Sequence, residues 1–436
     1  MWQYHPDLLA KPVPRYTSYP TAADFGPLEE GSIERAIAGA TGDVSLYLHI
    51  PFCEQICYYC GCNTGASGKR ARVESYLAAL HQEIATVASL LPQGARVRRI
   101  AFGGGSPNAI EPREFMALVD ALHAHFPLYA PAWSIELDPR SLTQEWSGVI
   151  GEIGITRASM GVQTFASLCQ TAIGREQPAS MIRRSVEWLR AGGVTSLNFD
   201  LMYGLPHQTT ADLIDSLNMT RKLGADRVAV FGYAHVPHLV PRQSMIPEDA
   251  LPQAEARFAM ASEAHAFLTT HGYDAIGFDH FALPHDPMAQ AVRHGTLRRN
   301  FQGFTDDPTE VLIGMGSSAI SGFPGLLAQN DKHNGRYRTL SGQGRLSANH
   351  GIIRRPEDRL RGGVIEALLC RSGAELSPCL LAEVRGGLAP FIAAGLASLT
   401  GNRLTIAPGG LPYARGIAAL FDSYRQVTQR SFSSAI

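Results

Sequence analysis

Four of the seven cysteines in this 436-residue chain, Cys53, Cys57, Cys60 and Cys62, fall within ten residues. Free cysteine usually behaves as a small buried hydrophobe scattered through cores, so clustering points to metal or redox chemistry. A disulfide framework belongs to small secreted domains that lack sufficient core. This chain is long, and its start shows no signal-peptide pattern. A structural zinc site normally joins two short Cys pairs across a longer spacer, whereas here all four thiols lie on one short stretch. Cys169, Cys370 and Cys379 are isolated and read as core thiols. An iron–sulfur cluster, held by Cys thiolates at short spacings, accounts for more of the pattern; zinc stays open on residue chemistry alone.

Other chemistry-bearing residues recur at regular intervals. They are His49 before the Cys run, Gly103-Gly-Gly-Ser-Pro107, Glu136 and Asp138, Gln163, Asp200, and His235. Each follows or ends a β-like run at 44–51, 98–103, 133–137, 157–162, 197–203 or 227–233, and a seventh run is expected at 274–279. Between the runs lie amphipathic helical segments. The clearest carries Leu77, Leu80, Ile84, Val87 and Leu91 at spacings of three and four. Strand–helix alternation implies parallel βαβ units, in an open α/β sheet or in a full or partial barrel. Polar groups repeated at C-terminal strand ends favour the barrel, because barrel enzymes place their chemistry there.

Residues 1–40 form a Pro- and Tyr-containing arm with Arg15, Tyr16 and Tyr19, suited to cover a site mouth or to staple the N-terminus. Residues 41–350 form the catalytic domain with an extension, and 351–436 a small C-terminal helical domain. In the last, helices are expected at 356–370 and 380–394, a hairpin at 396–408 around Gly401-Asn402, and a final helix at 411–424. That order resembles a winged helix, but without a dense Lys/Arg stripe a packing or lid role fits better than DNA binding. Net charge is −1, from 38 basic and 39 acidic residues. No global field therefore recruits nucleic acid or an anionic membrane. No apolar run approaches the roughly 20 residues of a membrane helix. A monomer in the reducing cytoplasm is the expectation.

The spacing of Cys53, Cys57 and Cys60, with Tyr59 at the aromatic position, resembles the signature of radical S-adenosylmethionine (SAM) enzymes. In these, three thiolates hold a 4Fe–4S cluster and SAM occupies the fourth iron. Further motifs are Arg15-Tyr-Thr-Ser-Tyr-Pro-Thr21, Cys60-Gly-Cys62-Asn63, Ile135-Glu-Leu-Asp-Pro-Arg140, Ser159-Met-Gly-Val-Gln163 and Arg175-Glu-Gln177. Tyr47-x-His49-Ile-Pro-Phe52, Asp200-Leu-Met-Tyr-Gly-Leu-Pro206, Tyr233-Ala-His235, Asp279-His-Phe281, Arg299-Asn-Phe-Gln302 and Gly314-Met-Gly-Ser-Ser-Ala-Ile-Ser321 complete the set. With them the whole chain resembles the oxygen-independent coproporphyrinogen III oxidases, and Cys62 is the residue that narrows the superfamily to this branch.

The resemblance implies a partial (β/α)6 radical SAM barrel and oxidative decarboxylation of two propionates of coproporphyrinogen III to vinyl groups. It implies one 4Fe–4S cluster on Cys53, Cys57 and Cys60, two SAM molecules and a flavodoxin-like electron donor. Gly104, Gly105 and Ser106 would receive SAM's methionine moiety, Glu136 its ribose, and Arg175 its carboxylate. Gln163, Asp200 and Tyr47 would complete the first SAM's contacts. Tyr59, Cys62, Met202, Ala234, Gln302 and Ile320 map around the adenines and the second SAM. Cys62, Tyr47 and His49 are the catalytic candidates. Three positions depart from the family pattern. Ser106-Pro-Asn108 replaces Thr-Pro-Thr, Tyr59 stands where Phe is common, and Gly232 precedes Tyr233 where Asn is frequent. A haem-binding or haem-modifying radical SAM relative is the alternative, and a zinc-stabilised nucleic-acid-binding protein a more distant one.

Overall fold

A computed structural model of the chain describes residues 1–425. Six parallel strands follow one another in chain and sheet order. They are β1 (Asp43–Ile50), β2 (Arg96–Gly104), β3 (Leu128–Leu137), β4 (Arg157–Gln163), β5 (Ser196–Tyr203) and β6 (Arg227–Gly232). Their crossovers are α1 (Arg70–Leu90), α2 (Pro112–His125), α3 (Gln144–Ile153), α4 (Ala179–Ala191) and α5 (Thr210–Lys222), with α6 (Ala254–Thr270) after β6. These strands read as near-continuous apolar runs because both faces are covered; seven of the eight residues of β1 are buried.

The helix α1 shows why the pattern folds this way. Val73, Tyr76, Leu77, Leu80, Ile84 and Val87 form one buried stripe, with Leu91 just past its end. Glu83 lies inside that stripe, 2% exposed. Local chemistry fixes other helix ends, as where the Thr209 hydroxyl accepts from the Asp212 N–H while the Asp212 carboxylate accepts from Thr209.

The expected seventh strand is instead a short antiparallel hairpin, β7 (Asp274–Ile276) and β8 (His280–Ala282), with β8 against β6. Gly277, at φ +64°, turns the chain back, and a Cβ there would run into the Phe304 ring. The seventh parallel strand is β9 (Val311–Met315), which lies beside β1. Antiparallel strands β10 (Ile320–Phe323), β11 (Leu326–Asn330) and β12 (Ala348–Ile353) continue the thirteen-stranded sheet to Gly26–Pro27. The two ends of this sheet do not pair with each other, so the barrel is partial, as expected. β12 runs through the expected domain boundary at 350/351.

After it come α7 (Pro356–Arg371), β13 (Gly373–Glu375), α8 (Pro378–Ala393) and the hairpin β14 (Ala397–Thr400)/β15 (Arg403–Ile406). This helix–strand–helix–hairpin order matches the expected winged-helix-like unit, whose last residues, 426–436, lie outside the described ones. The expected helix at 411–424 is broken into Pro408–Tyr413, Ala414–Ala418 and Ala419–Phe421. Pro412 has no N–H to donate, and Asp422 leaves the helix to accept from the Tyr16 hydroxyl at 2.9 Å. That bond, and Tyr19 Oη to Ser423 Oγ at 3.1 Å, staple the N-terminal arm to this unit. Leu388, Phe391 and Tyr413 share one contiguous core with the barrel residues.

Candidate active site

The C-terminal ends of β1–β6 open onto a cavity of about 710 Å³. Cys53, Cys57, Tyr59, Cys60, Cys62, Gly105, Glu136, Gln163, Arg175, Asp200, Met202 and Ala234 all line it. Twelve expected site residues, scattered over 182 positions of sequence from Cys53 to Ala234, thus meet at one mouth. They meet because each follows or ends a strand of one parallel sheet.

The Cys run forms the loop after β1. Backbone bonds from Cys60 N to Cys57 O at 3.3 Å, Ser67 N to Cys53 O at 3.0 Å and Tyr58 N to Ile173 O at 3.0 Å hold it. Cys53 and Cys57 are buried and Cys62 is exposed. Two guanidiniums reach the Cys57 sulfur, Arg175 Nη1 at 3.2 Å and Arg140 Nη2 at 3.3 Å. Asp138 sits between them, accepting from Arg140 Nη2 at 2.7 Å and from Arg175 Nη1 at 3.2 Å. Burial alone would raise the Asp138 carboxyl's pKa; the pull of Arg175 and Arg140 outweighs it and holds the group below its ordinary value. Arg175 also donates to Gly161 O at 2.5 Å, so its guanidinium is a strut between β4 and the Cys loop. Asp138 and Arg140 sit in a motif the sequence displayed, without a role assigned to Arg140. Gln243, 2% exposed, escaped notice altogether. Its amide donates to Tyr59 O at 3.0 Å and Ala234 O at 3.1 Å, clamping the Cys loop to the segment after β6.

The Gly-rich turn after β2 is demanded by the chain's own packing. Gly104 has φ +119°, and its Cβ would meet the His49 ring at 2.8 Å. A Cβ at Gly105 would lie 2.6 Å from the Phe52 carbonyl oxygen. The Ser106 hydroxyl is buried and donates to Asn108 Oδ1 at 2.6 Å. Asn108 in turn donates to Asp138 O at 2.9 Å, so the Ser-Pro-Asn variant of this turn supports the Asp138 segment. Glu136 accepts from Gly104 N at 3.2 Å. Burial, with nearby Asp200 adding to it, raises its carboxyl to about 7 despite that bond. Asp200 accepts from Ser159 Oγ and Asn198 Nδ2, both at 2.8 Å, and burial raises its pKa as well. Gln163 is held at φ +65°, a left-handed conformation that costs a non-glycine residue energy and clusters at functional sites.

Other expected residues stand outside this cavity. Tyr47 and His49 lie behind the Gly turn, the phenol 3.2 Å from His49 Nδ1. Burial lowers His49 to about 4, so the ring is neutral at pH 7. Gln302 lines a separate cavity of about 160 Å³ whose wall includes Glu136. Ile320 lines a third, of about 350 Å³, behind residues Tyr16–Tyr19 of the arm.

The radical SAM superfamily model matches residues 47–220, the span from β1 to α5. An oxygen-independent coproporphyrinogen III oxidase of Bradyrhizobium diazoefficiens is 39% identical, over 97% of both chains. The chain belongs to the oxygen-independent coproporphyrinogen III oxidase family. The Escherichia coli relative of that description is 36% identical over 97% of this chain. A solved structure of coproporphyrinogen III oxidase from Escherichia coli, described as a radical SAM enzyme, superposes with a TM-score of 0.91. It is 35% identical and covers 97% of this chain and 99% of its own.

A radical SAM family uses a 4Fe–4S cluster and SAM, and the residues here fit both. Cys53, Cys57 and Cys60 offer soft sulfur donors around one cavity, with two guanidiniums to offset thiolate charge. The Glu136 and Asp200 carboxyls, the Gln163 amide and Gly105 of the turn after β2 line the same space, polar groups of the kind a nucleoside and an amino acid require.

Proposed function

We propose that this chain catalyses the reaction of its family, oxidative decarboxylation of coproporphyrinogen III to protoporphyrinogen IX. The observation that carries the reading is the meeting of three free thiols with Glu136, Gln163 and Asp200 in one cavity at the strand ends. A cluster held by Cys53, Cys57 and Cys60, with SAM beside it, would supply the one-electron chemistry that removes hydrogen from an unactivated carbon. Each of two propionates then loses a β-hydrogen, CO2 and one electron to become a vinyl group.

The chain's own residues bind and orient. Cys53, Cys57 and Cys60 ligate the cluster while Arg140 and Arg175 donate to the Cys57 sulfur. Glu136 receives the ribose hydroxyls, and Gln163, Asp200, Tyr47, Arg175 and the turn Gly104-Gly105-Ser106 complete the first SAM site. Tyr59, Cys62, Met202, Ala234, Gln302 and Ile320 serve a second SAM or the substrate. Tyr47, His49 and Cys62 are the proposed catalytic groups; His49 is neutral at pH 7 and its Nδ1 lies 3.2 Å from the Tyr47 phenol. The reading includes a flavodoxin-like reductant, a monomer, the 1–40 arm and the 351–436 unit as separate parts, and no nucleic-acid or membrane partner. No helix among the described residues is long and apolar enough to cross a membrane.

Anaerobic incubation of reconstituted protein with SAM, a reductant and coproporphyrinogen III should release CO2 and form protoporphyrinogen. SAM cleavage without decarboxylation would overturn the reading. The Cys62→Ser variant should keep its iron and lose turnover; loss of iron would make Cys62 a cluster ligand instead.

A further inference from the structure

Resting on that reading, a specific partner for the substrate's carboxylates can be named. The cavity contains three arginines, Arg15, Arg140 and Arg175. Arg140 and Arg175 are committed to Asp138, within 2.7 and 3.2 Å, and to Cys57. Arg15 is different. It makes no ion pair among the described residues, its side chain is exposed, and its one polar contact is a long bond from Nη2 to Gly232 O at 3.4 Å. The guanidinium lies over the Phe231 ring, 5.1 Å from its centre, which holds the plane while leaving its donating edges open.

The backbone under Arg15 is built to present it. Arg299 Nη2 donates to Arg15 O and Arg299 Nε to Tyr16 O, both at 2.9 Å. Tyr16 takes up φ +48°, and its side chain is 3% exposed, with its hydroxyl on Asp422. The turn that aims Arg15 at the mouth is therefore gripped from both sides, and Arg299 acts as a positioning residue. Asp279, whose carboxyl the Arg15 charge helps to hold below its ordinary value, makes no ion-pair contact with it and accepts from His280 Nδ1 at 2.6 Å.

We propose that Arg15, carried into the mouth by the N-terminal arm, binds a propionate carboxylate of the porphyrinogen. A bidentate guanidinium–carboxylate pair suits this geometry. It also gives the arm a role in substrate selection.

The test uses two readouts. In equilibrium titrations of the full chain without SAM, coproporphyrin III fluorescence should report roughly ten- to hundredfold weaker binding to Arg15→Ala, the effect of one lost charged hydrogen-bonded pair. Arg15→Lys should recover part of it, since the charge survives and the fork does not. Coproporphyrin tetramethyl ester, with the same ring and no charge, should bind both forms alike. In turnover, KM should rise by a similar factor with kcat within about twofold. Unchanged porphyrin affinity in Arg15→Ala would overturn the proposal, as would a parallel loss of SAM affinity, which would make Arg15 a cofactor contact. A wild-type protein that binds the porphyrin through Arg15 yet fails to decarboxylate the porphyrinogen would defeat the proposed reaction and leave this carboxylate site standing.

Discussion

Asp138→Asn removes one charge and almost no volume, and the structure says it should be among the costliest isosteric changes in the chain. Among the described residues, the carboxylate is the only acid in ion-pair contact with either of two guanidiniums whose side chains are 9% and 7% exposed. At an effective dielectric near 20, each pair attracts by about 4 kcal/mol. Desolvation and repulsion between the two arginines take back a large part. Leaving buried charges without their partner costs about 3–5 kcal/mol, and that is the expected loss in cluster-free protein, read from urea midpoints under anaerobic reducing conditions. The carboxyl is held below its ordinary value, so its contribution is present above about pH 3.9, the unfolded value, and disappears as pH falls through the folded one. The gap between wild type and variant should therefore close in acid. It should also narrow in reconstituted protein, where the Cys57 thiolate offers the guanidiniums a negative partner. In a double-mutant cycle with Arg140→Gln the two losses should be less than additive. A difference under about 1 kcal/mol in cluster-free protein at neutral pH would refute the argument that Asp138 neutralises this corner of the site.

Two further outcomes follow from buried acids. Glu136, raised to about 7 by burial, is protonated below that pH and a better acceptor of ribose hydroxyls above it. SAM affinity measured by equilibrium dialysis should therefore strengthen as pH rises through about 7, by at most about tenfold per unit, and Glu136→Gln should flatten the profile; a Gln variant with the same slope refutes it. Tyr337→Phe deletes one of three donors to the buried Glu83 carboxylate, which also accepts from Gly316 N and Asn330 Nδ2, both at 2.7 Å. It should cost about 1.5–3 kcal/mol in denaturant unfolding, and a loss below about 0.5 kcal/mol would contradict the role of this cluster in tying α1 to the β9–β11 extension.

The barrel was legible because apolar runs and polar strand ends repeat with the same period. The expected strands at 44–51, 157–162 and 197–203 differ from β1, β4 and β5 by no more than one residue at either end. What escaped lies where local pattern and tertiary pairing diverge. The run 274–279 looks like a strand continuing the series, yet its Gly277 is needed in a left-handed turn against Phe304. The five residues of β9 are too few to announce themselves, and only their parallel register with β1, Val311 opposite Val44, makes them part of the barrel. Glu83 was invisible for a related reason: a charge in an apolar stripe is read as a flaw until the three donors from distant segments are in place.

The site divides in the same way, and the division explains which motif residues do what. Residues expected to meet a ligand were picked out by the chemistry of their type, and three spaced thiols, a carboxylate and an amide so picked do converge on one cavity. Residues whose role is to hold those groups look the same as ligand-binding ones in a motif. Gly105 reads as room for SAM but first makes room for the Phe52 carbonyl. Ser106, proposed for SAM's methionine moiety, also donates to Asn108, and Arg175, proposed for a SAM carboxylate, also braces Cys57, Asp138 and Gly161. Arg15 is the converse case. One arginine in a Pro-bounded arm, 38 residues before Cys53, carries no sign of its target. Its meaning comes from what the fold withholds, since the two cavity arginines with better credentials are already neutralised and the arm delivers the one that is not. A residue in a family motif is therefore held by its neighbours as well as offered to a ligand, and the internal bonds of Ser106 and Arg175 show the first of these constraints directly.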